Sequence, residues 1–171
     1  MIYEENELED EAIKNIVSMV VGAIKTAPKT KGINSLKTLV IIGDEKKKLA
    51  DEMRKFEPAY FKRDANNILQ SDAIILIGTR RVYLNFDCGL CGNNTCKENI
   101  KKGGYCYFNI IDLGIALGSA VSSLSIFKVD NRIMYTIGMA AKNLNLMGKG
   151  FDVIMGIPLK FERKNIFFDR K

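Results

Sequence analysis

The amino-acid sequence predicts one layered domain of helices and β-strands, of the mixed α+β class. Helical and extended segments alternate along the 171 residues, a pattern typical of helices packed on a sheet. The predicted strands are continuous apolar runs, which indicates a sheet covered on both faces. With 47% hydrophobic residues, a chain of this length can bury a substantial core. We therefore expect residues 1–171 to form a single domain.

The first half of the chain is predicted to contain three helices and two strands. Apolar residues at helical spacing define the first helix, which Pro28 ends. Asp44 is the expected N-cap of the second helix. The expected elements are a helix over about 8–26, a strand over about 37–42, a helix over about 45–56, a short helix over about 64–69 and a strand over 73–77.

The second half is predicted to contain two helices and one strand. A long helix begins near Phe108, a second helix covers 131–146, and a strand covers 152–157 and is closed by Pro158. Small residues at spacing four form one face of the long helix, namely Gly114, Gly118 and Ser122. We expect this face to make a close helix–helix contact, and a cofactor ring or a partner subunit lying against it is the alternative.

The long helix also raises the question of a membrane span. Residues 108–127 carry one formal charge, Asp112. Four serines, Asn109 and Asp112 make the segment a poor spanning helix. We expect a buried central helix and no membrane contact.

The four cysteines of the chain fall within nineteen residues. Their spacing is C-x2-C-x4-C-x9-C, and they are Cys88, Cys91, Cys96 and Cys106. Four thiolates in one short segment can surround a single metal centre. We therefore interpret residues 86–107 as an inserted metal-binding loop with these four cysteines as ligands.

Three kinds of site compete for the four cysteines. Two disulfides are compatible with the count, but disulfide scaffolds are usually small, secreted and rich in cysteine along their length. A structural zinc site usually presents two C-x2-C pairs, and this chain has one pair and two single cysteines. An iron–sulfur cluster is the preferred interpretation, and zinc is the alternative.

Glycines and lysines surround the cysteines. Backbone amides near Gly89, Gly92 and Gly104 can approach sulfur and tune a cluster's reduction potential. Lysines nearby would form a basic surface that steers an acidic electron-transfer partner, or simply a solvated helix end. These lysines are Lys97, Lys101 and Lys102.

Composition excludes several other functions. The chain has no histidine, so it has no histidine-based triad, proton shuttle or histidine-ligated metal. Its net charge of +6 is spread along the sequence without a nucleic-acid-binding motif. The acidic start lacks the pattern of a secretory signal, so we expect a cytoplasmic protein.

Five sequence blocks resemble a bacterial and archaeal family of unknown function described as ferredoxin-domain-containing proteins. The blocks are TAPKTKGI, CGLCGNNTC, IDLGIALGSAVS, DNRIMYTIGMAA and GIPL...KNIFFDR. They span almost the whole chain. The resemblance implies an iron–sulfur centre on the four cysteines and no named reaction.

A second set of motifs resembles the flavin-dependent nitroreductase superfamily. The matching segments are Ala27-Pro28-Lys29, the helix start with Asp112, Gly114, Ile115 and Ala116, and the strand end Gly156-Ile157-Pro158. The resemblance implies a nitroreductase-like α+β sandwich carrying the inserted cysteine loop. It also implies a homodimer that binds FMN at the subunit interface.

The sequence departs from that superfamily at the flavin site. The arginine-rich block that holds the FMN phosphate belongs near the N-terminus, where this chain is acidic. Arg80 and Arg81 could hold a phosphate instead, because guanidinium binds phosphate through paired hydrogen bonds. An exposed surface pair is the other interpretation. The candidate flavin contacts are Lys29, Arg80, Arg81, Gly114 and Gly118.

These observations predict a redox protein. A [4Fe–4S] cluster would pass single electrons, and bound FMN would make the chain a flavin-dependent oxidoreductase. The alternative is a non-enzymatic binding or assembly module in which zinc holds the cysteine loop.

Overall fold

The chain folds around an antiparallel sheet of four strands. The computed structural model describes residues 1–168, apart from the side chain of Asn6. The strands are β1 (Leu36–Ile42), β2 (Ala73–Arg80), β3 (Asp130–Asn131) and β4 (Phe151–Lys160), in the order β1-β2-β4-β3. The helices are α1 (Glu5–Thr26), α2 (Glu45–Met53), α3 (Ala59–Gln70), α4 (Cys96–Lys101), α5 (Tyr107–Ile126) and α6 (Tyr135–Asn143).

Strand β2 lies at the centre and is buried on both faces. Its alternate residues point to opposite sides, so Ile75 and Ile77 enter one core while Ile74 and Leu76 enter the other. Helices α1 and α5 cover the first face, and α2, α3 and α6 cover the second. The expectation of a sheet covered on both faces is confirmed.

Several predicted boundaries are wrong. Helix α3 begins at Ala59, five residues earlier than expected, and the short helix α4 was not predicted. The predicted helix over 131–146 starts only at Tyr135, because Met134 exchanges two backbone hydrogen bonds with Gly156 of β4. Asp44 precedes α2, but its side chain makes no capping hydrogen bond.

Pro158 lies inside β4 and does not close it. The Leu159 carbonyl accepts a hydrogen bond of 2.8 Å from the N–H of Asp72, the residue before β2, so the backbone groups of Leu159 face β2. Neighbouring residues of a strand point their amides in opposite directions, so the position of the missing Pro158 N–H faces β3. Pairing with β3 ends at Asn131, opposite Leu159, so no bond of the ladder is lost at Pro158.

Helix α5 is long and apolar enough to cross a membrane by length and composition alone. One face packs against α1 and β2, so the expectation of a buried central helix holds for that face only. Asp112 is 2% exposed on that face. It accepts hydrogen bonds from the backbone N–H and the hydroxyl of Thr30, the latter at 2.8 Å. The buried carboxylate therefore anchors α5 to the loop that follows α1.

The opposite face of α5 is exposed. A Cβ atom built at Gly114 or Gly118 would meet nothing within 4 Å. In the described chain, the expected close helix–helix contact at these small residues is therefore absent. The last two residues of the block KNIFFDR, Asp169 and Arg170, lie outside the described residues.

Candidate metal centre

All four cysteines line one small pocket between β2 and α5. Cys88 and Cys91 lie in the loop after β2, Cys96 is the first residue of α4, and Cys106 is the N-cap of α5. Exposure decreases along the loop: Cys88 is exposed, Cys91 and Cys96 are half-buried, and Cys106 is buried. Side chains that form the two hydrophobic cores come from outside residues 86–107, so the loop is an addition to the sheet-and-helix framework.

A tight turn brings Cys88 and Cys91 together. The Gly92 N–H donates to the Gly89 carbonyl at 2.9 Å, and both glycines have positive φ, +74° and +79°. Side chains other than glycine rarely adopt this backbone conformation, so the two glycines set the shape of the turn.

Helix α4 directs Cys96 into the pocket. The Thr95 hydroxyl accepts from the Glu98 N–H at 3.2 Å and caps the helix. The Cys96 N–H donates to Asp87 Oδ1 at 2.6 Å. Asp87 precedes Cys88, so this bond holds the third cysteine beside the first.

Hydrogen bonds and an ion pair connect the Cys106 end of the loop to the sheet and to the segment after β2. The Tyr83 hydroxyl donates to the Gly104 carbonyl at 2.8 Å, and the Tyr105 hydroxyl donates to Asp152 at 3.2 Å. Arg81 pairs with Asp152 at 2.9 Å and stacks on the Tyr105 ring. Burial and the Asp152 charge raise the pKa of Tyr105 above its ordinary value.

Asn99 connects α4 with this end of the loop. It is 3% exposed, and its amide donates to the Tyr105 carbonyl at 2.9 Å. A Cβ atom at Gly104 would collide with Asn99 Oδ1. The absence of a side chain at Gly104 therefore leaves room for the Asn99 amide beside the turn before Cys106.

Lys31 fixes the start of the loop. Its ammonium donates to the Leu84 carbonyl at 2.9 Å and lies 4.2 Å from the centre of the Phe86 ring. Phe86 lines the cysteine pocket. The loop after α1 therefore supports both α5, through Thr30, and the cysteine loop.

The donor set fits an iron–sulfur centre in chemistry, although the pocket is narrow. The four thiols are free and face one void of about 10 Å³, roughly the room of one water molecule. Within residues 1–168, no three cysteine, aspartate or glutamate side chains are placed to hold a single metal ion. A zinc ion bonded at about 2.3 Å would need sulfurs about 3.8 Å apart. A multi-atom cluster needs wider spacing, and the loop would have to open at its exposed Cys88 side to admit one.

The candidate flavin contacts have different surroundings in the structure. The Lys29 ammonium donates to the last carbonyls of α1, including Ala27 at 2.7 Å, and so caps that helix. Arg81 is paired with Asp152, and Arg80 is exposed at the end of β2. Gly114 and Gly118 lie on the exposed face of α5. Their role in flavin binding stays a prediction.

Several residues of the site were missed in the sequence. Asp87, Asn99 and Tyr83 support the cysteines, but no local pattern marks them. The start of helix α4 is marked in the sequence, because Thr95 and Glu98 form the T-x-x-E pattern of a capping box.

Solved nitroreductases share this fold. The FMN-dependent nitroreductase NfnB from Mycobacterium smegmatis matches 88% of this chain and 78% of its own, with a TM-score of 0.59 and 10% identity. Nitroreductase CinD from Lactococcus lactis matches 95% of this chain and 81% of its own, with a TM-score of 0.60 and 14% identity. At such identities the likeness establishes the fold alone.

The sequence comparisons identify the family. Residues 102–170 match the model described as "Uncharacterized protein containing a ferredoxin domain (DUF2148)", a range that includes Cys106. An uncharacterized protein from Archaeoglobus fulgidus is 38% identical over 184 aligned positions, covering 99% of this chain and 98% of the relative. The ferredoxin domain and the four cysteines together indicate an iron–sulfur cluster. The chain belongs to the family of uncharacterized proteins that contain a ferredoxin domain.

Proposed function

We propose that this protein is an iron–sulfur electron carrier on a nitroreductase-like fold, with a [4Fe–4S] cluster held by Cys88, Cys91, Cys96 and Cys106. The observation that carries the proposal is that the four cysteines of the chain line one pocket. Four thiolates satisfy the four irons of such a cluster and leave no cysteine for other chemistry.

The surroundings of the pocket suit electron transfer. Cys88 is exposed, so the cluster would approach the protein surface on that side. The exposed lysines of the loop would attract an acidic partner protein, and the partner should bind faster at low ionic strength. These residues are Lys97, Lys101 and Lys102, all on or next to α4.

FMN is the second cofactor that the fold suggests. Solved relatives of the fold include proteins named as FMN-dependent nitroreductases. The open face at Gly114 and Gly118 leaves room for a planar ring, and exposed Arg80 could reach a phosphate. With both cofactors the protein would act as a reductase, in which FMN takes part in two-electron transfer and the cluster passes single electrons.

The test is the cofactor content of protein purified without oxygen. We expect about four iron and four acid-labile sulfide per chain, with a broad absorbance band in the blue. Flavin released when the protein is denatured would show that the protein binds flavin and would support the reductase activity. Zinc without sulfide would contradict it and favour the structural module.

Substituting each cysteine by serine extends this test. Cys96→Ser should remove most of the iron and sulfide, because serine is a poor replacement for a thiolate ligand. We expect the other three serine variants to behave alike, since all four ligands serve one centre. Iron and sulfide retained in all four variants would contradict the four-cysteine site.

We also propose that the exposed face of α5 is the interface of a homodimer. The one charged residue of α5, Asp112, is buried, so the exposed face carries no charge over twenty residues. Its isoleucines are 36–73% exposed, namely Ile110, Ile111, Ile115 and Ile126. Contiguous apolar surface of this kind marks interfaces.

Ile115→Glu should convert the dimer to a monomer. Each chain would bury an unpaired carboxylate in an apolar interface, and we expect the dissociation constant to rise by about 100-fold or more. Sedimentation equilibrium measures this change. The matched control is Met139→Glu. Met139 is similarly exposed and lies on α6, which covers the opposite face of the sheet from α5, so this variant should leave the dimer intact. A dimer that survives Ile115→Glu would contradict the proposed interface.

A further inference from the structure

A hydrogen-bond chain leads from a surface lysine to a cysteine sulfur. Lys102 Nζ donates to Asn93 Oδ1 at 2.7 Å. The Asn93 amide nitrogen donates to Asn99 Oδ1 at 3.1 Å. It also lies 3.5 Å from the Cys91 carbonyl oxygen and 3.8 Å from Cys91 Sγ, within hydrogen-bonding distance of sulfur. Asn99 in turn donates to the Tyr105 carbonyl at 2.9 Å.

The groups at the two ends of the hydrogen-bond chain determine which way each asparagine amide faces. An ammonium group can only donate, and a backbone carbonyl can only accept. The oxygen of Asn93 must therefore face Lys102, and the nitrogen of Asn99 must face Tyr105. Of the two Asn93 N–H groups, one points toward Asn99 and the other is shared between the carbonyl and the sulfur of Cys91.

This geometry gives Lys102 a role that its neighbours lack. The ammonium polarises the Asn93 amide, which strengthens the N–H donation to sulfur, because charge-assisted hydrogen bonds are stronger and chains of bonds reinforce one another. Lys101 carries the same charge and is exposed on the same helix, but no bond from its ammonium to the loop is described within residues 1–168. Lys101 is therefore a matched control for charge alone.

We infer that Lys102, acting through Asn93 on Cys91, raises the reduction potential of the cluster and sets the potential at which it accepts an electron. The inference rests on the proposed function. The cluster gains one electron from its donor protein, no bond is made or broken, and the reduced form carries one more negative charge. A donor at sulfur and a nearby cation stabilise that added charge. Lys102 and Asn93 are positioning residues, since neither is a ligand.

The test is a redox titration of the purified protein with dithionite and mediators, followed by electron paramagnetic resonance. Lys102→Gln should shift the midpoint to lower potential by roughly twice the shift of Lys101→Gln, because it removes both a charge and a charge-assisted hydrogen bond. Lys102→Arg, which keeps charge and donor, should restore most of the shift. In an Asn93→Ala background, Lys102→Gln should have no larger effect than Lys101→Gln.

Equal shifts for Lys102→Gln and Lys101→Gln would overturn the inference, since the lysines would then act only as distant charges. Iron and sulfide content, measured on every sample, separates this result from failure of the proposed function. A wild-type protein without sulfide contradicts the cluster itself. If Asn93→Ala does not fold, the comparison of Lys102→Gln with Lys101→Gln still decides whether Lys102 acts as more than a distant charge.

Discussion

Gly104→Ala should cost the protein most of its iron and sulfide. The new Cβ would occupy the position of Asn99 Oδ1, so the buried amide must move. Its hydrogen bonds to Asn93 and to the Tyr105 carbonyl would be lost or weakened, at about 1–3 kcal/mol for a buried polar group left unpaired. Because Tyr105 precedes Cys106, the fourth ligand would be displaced with the turn. Iron and sulfide analysis after anaerobic purification measures the effect.

Two further variants make this expectation specific. Gly22→Ala adds the same methyl group to an exposed position of α1, where it meets nothing within 4 Å, and should leave cluster content unchanged. The double variant Asn99→Ala/Gly104→Ala should retain no less cluster than Asn99→Ala alone, because the collision is removed with the amide. Normal iron and sulfide in Gly104→Ala would show that the loop does not depend on this contact.

Gly138→Ala should have the largest effect on the stability of the fold. Gly138 lies on α6 where that helix crosses β4, and a Cβ there would collide with the backbone carbonyl of Ile154. Backbone cannot rotate away as a side chain can, so α6 must move off the sheet. We expect the free energy of unfolding to fall by about 3 kcal/mol or more, at or above the upper end of the usual cost of overpacking. Urea denaturation followed by circular dichroism measures the change.

Gly22→Ala again supplies the contrast. The same methyl group at this exposed position, four residues before the end of α1, should raise the free energy of unfolding by about 0.5–1 kcal/mol, because alanine favours helix over glycine. The two variants should therefore move the urea midpoint in opposite directions. A Gly138→Ala protein as stable as the wild type would mean that α6 and β4 can separate at little cost.

The elements that the sequence predicted well are those with a single dominant pattern. Helix α1 and strand β2 follow from regular helical spacing and from a continuous apolar run. The helix predicted over 131–146 begins too early because Ile133 and Met134 continue the helical spacing of α6. Hydrogen bonds between Met134 and Gly156 instead hold the backbone extended there. Local pattern cannot show a bond to a residue more than twenty positions away.

The same distinction applies to the metal centre. The four cysteines were identifiable because the ligands of one centre fall within a single short loop. Asp152 supports that loop from 47 positions away in the sequence, through Tyr105, and so could not be predicted. The orientation of the Asn93 and Asn99 amides also depends on tertiary contacts, since an asparagine amide can face either way until its partners at both ends are fixed.

The position of the cysteine loop outside both hydrophobic cores has a consequence for the order of assembly. The sheet and its covering helices complete their packing with side chains from elsewhere in the chain. Folding therefore need not wait for iron, and maturation of the cluster becomes a late event on a finished scaffold, entered from the exposed Cys88 side. A sample that has lost its cluster to air should accordingly remain a folded protein that can be reconstituted with iron and sulfide.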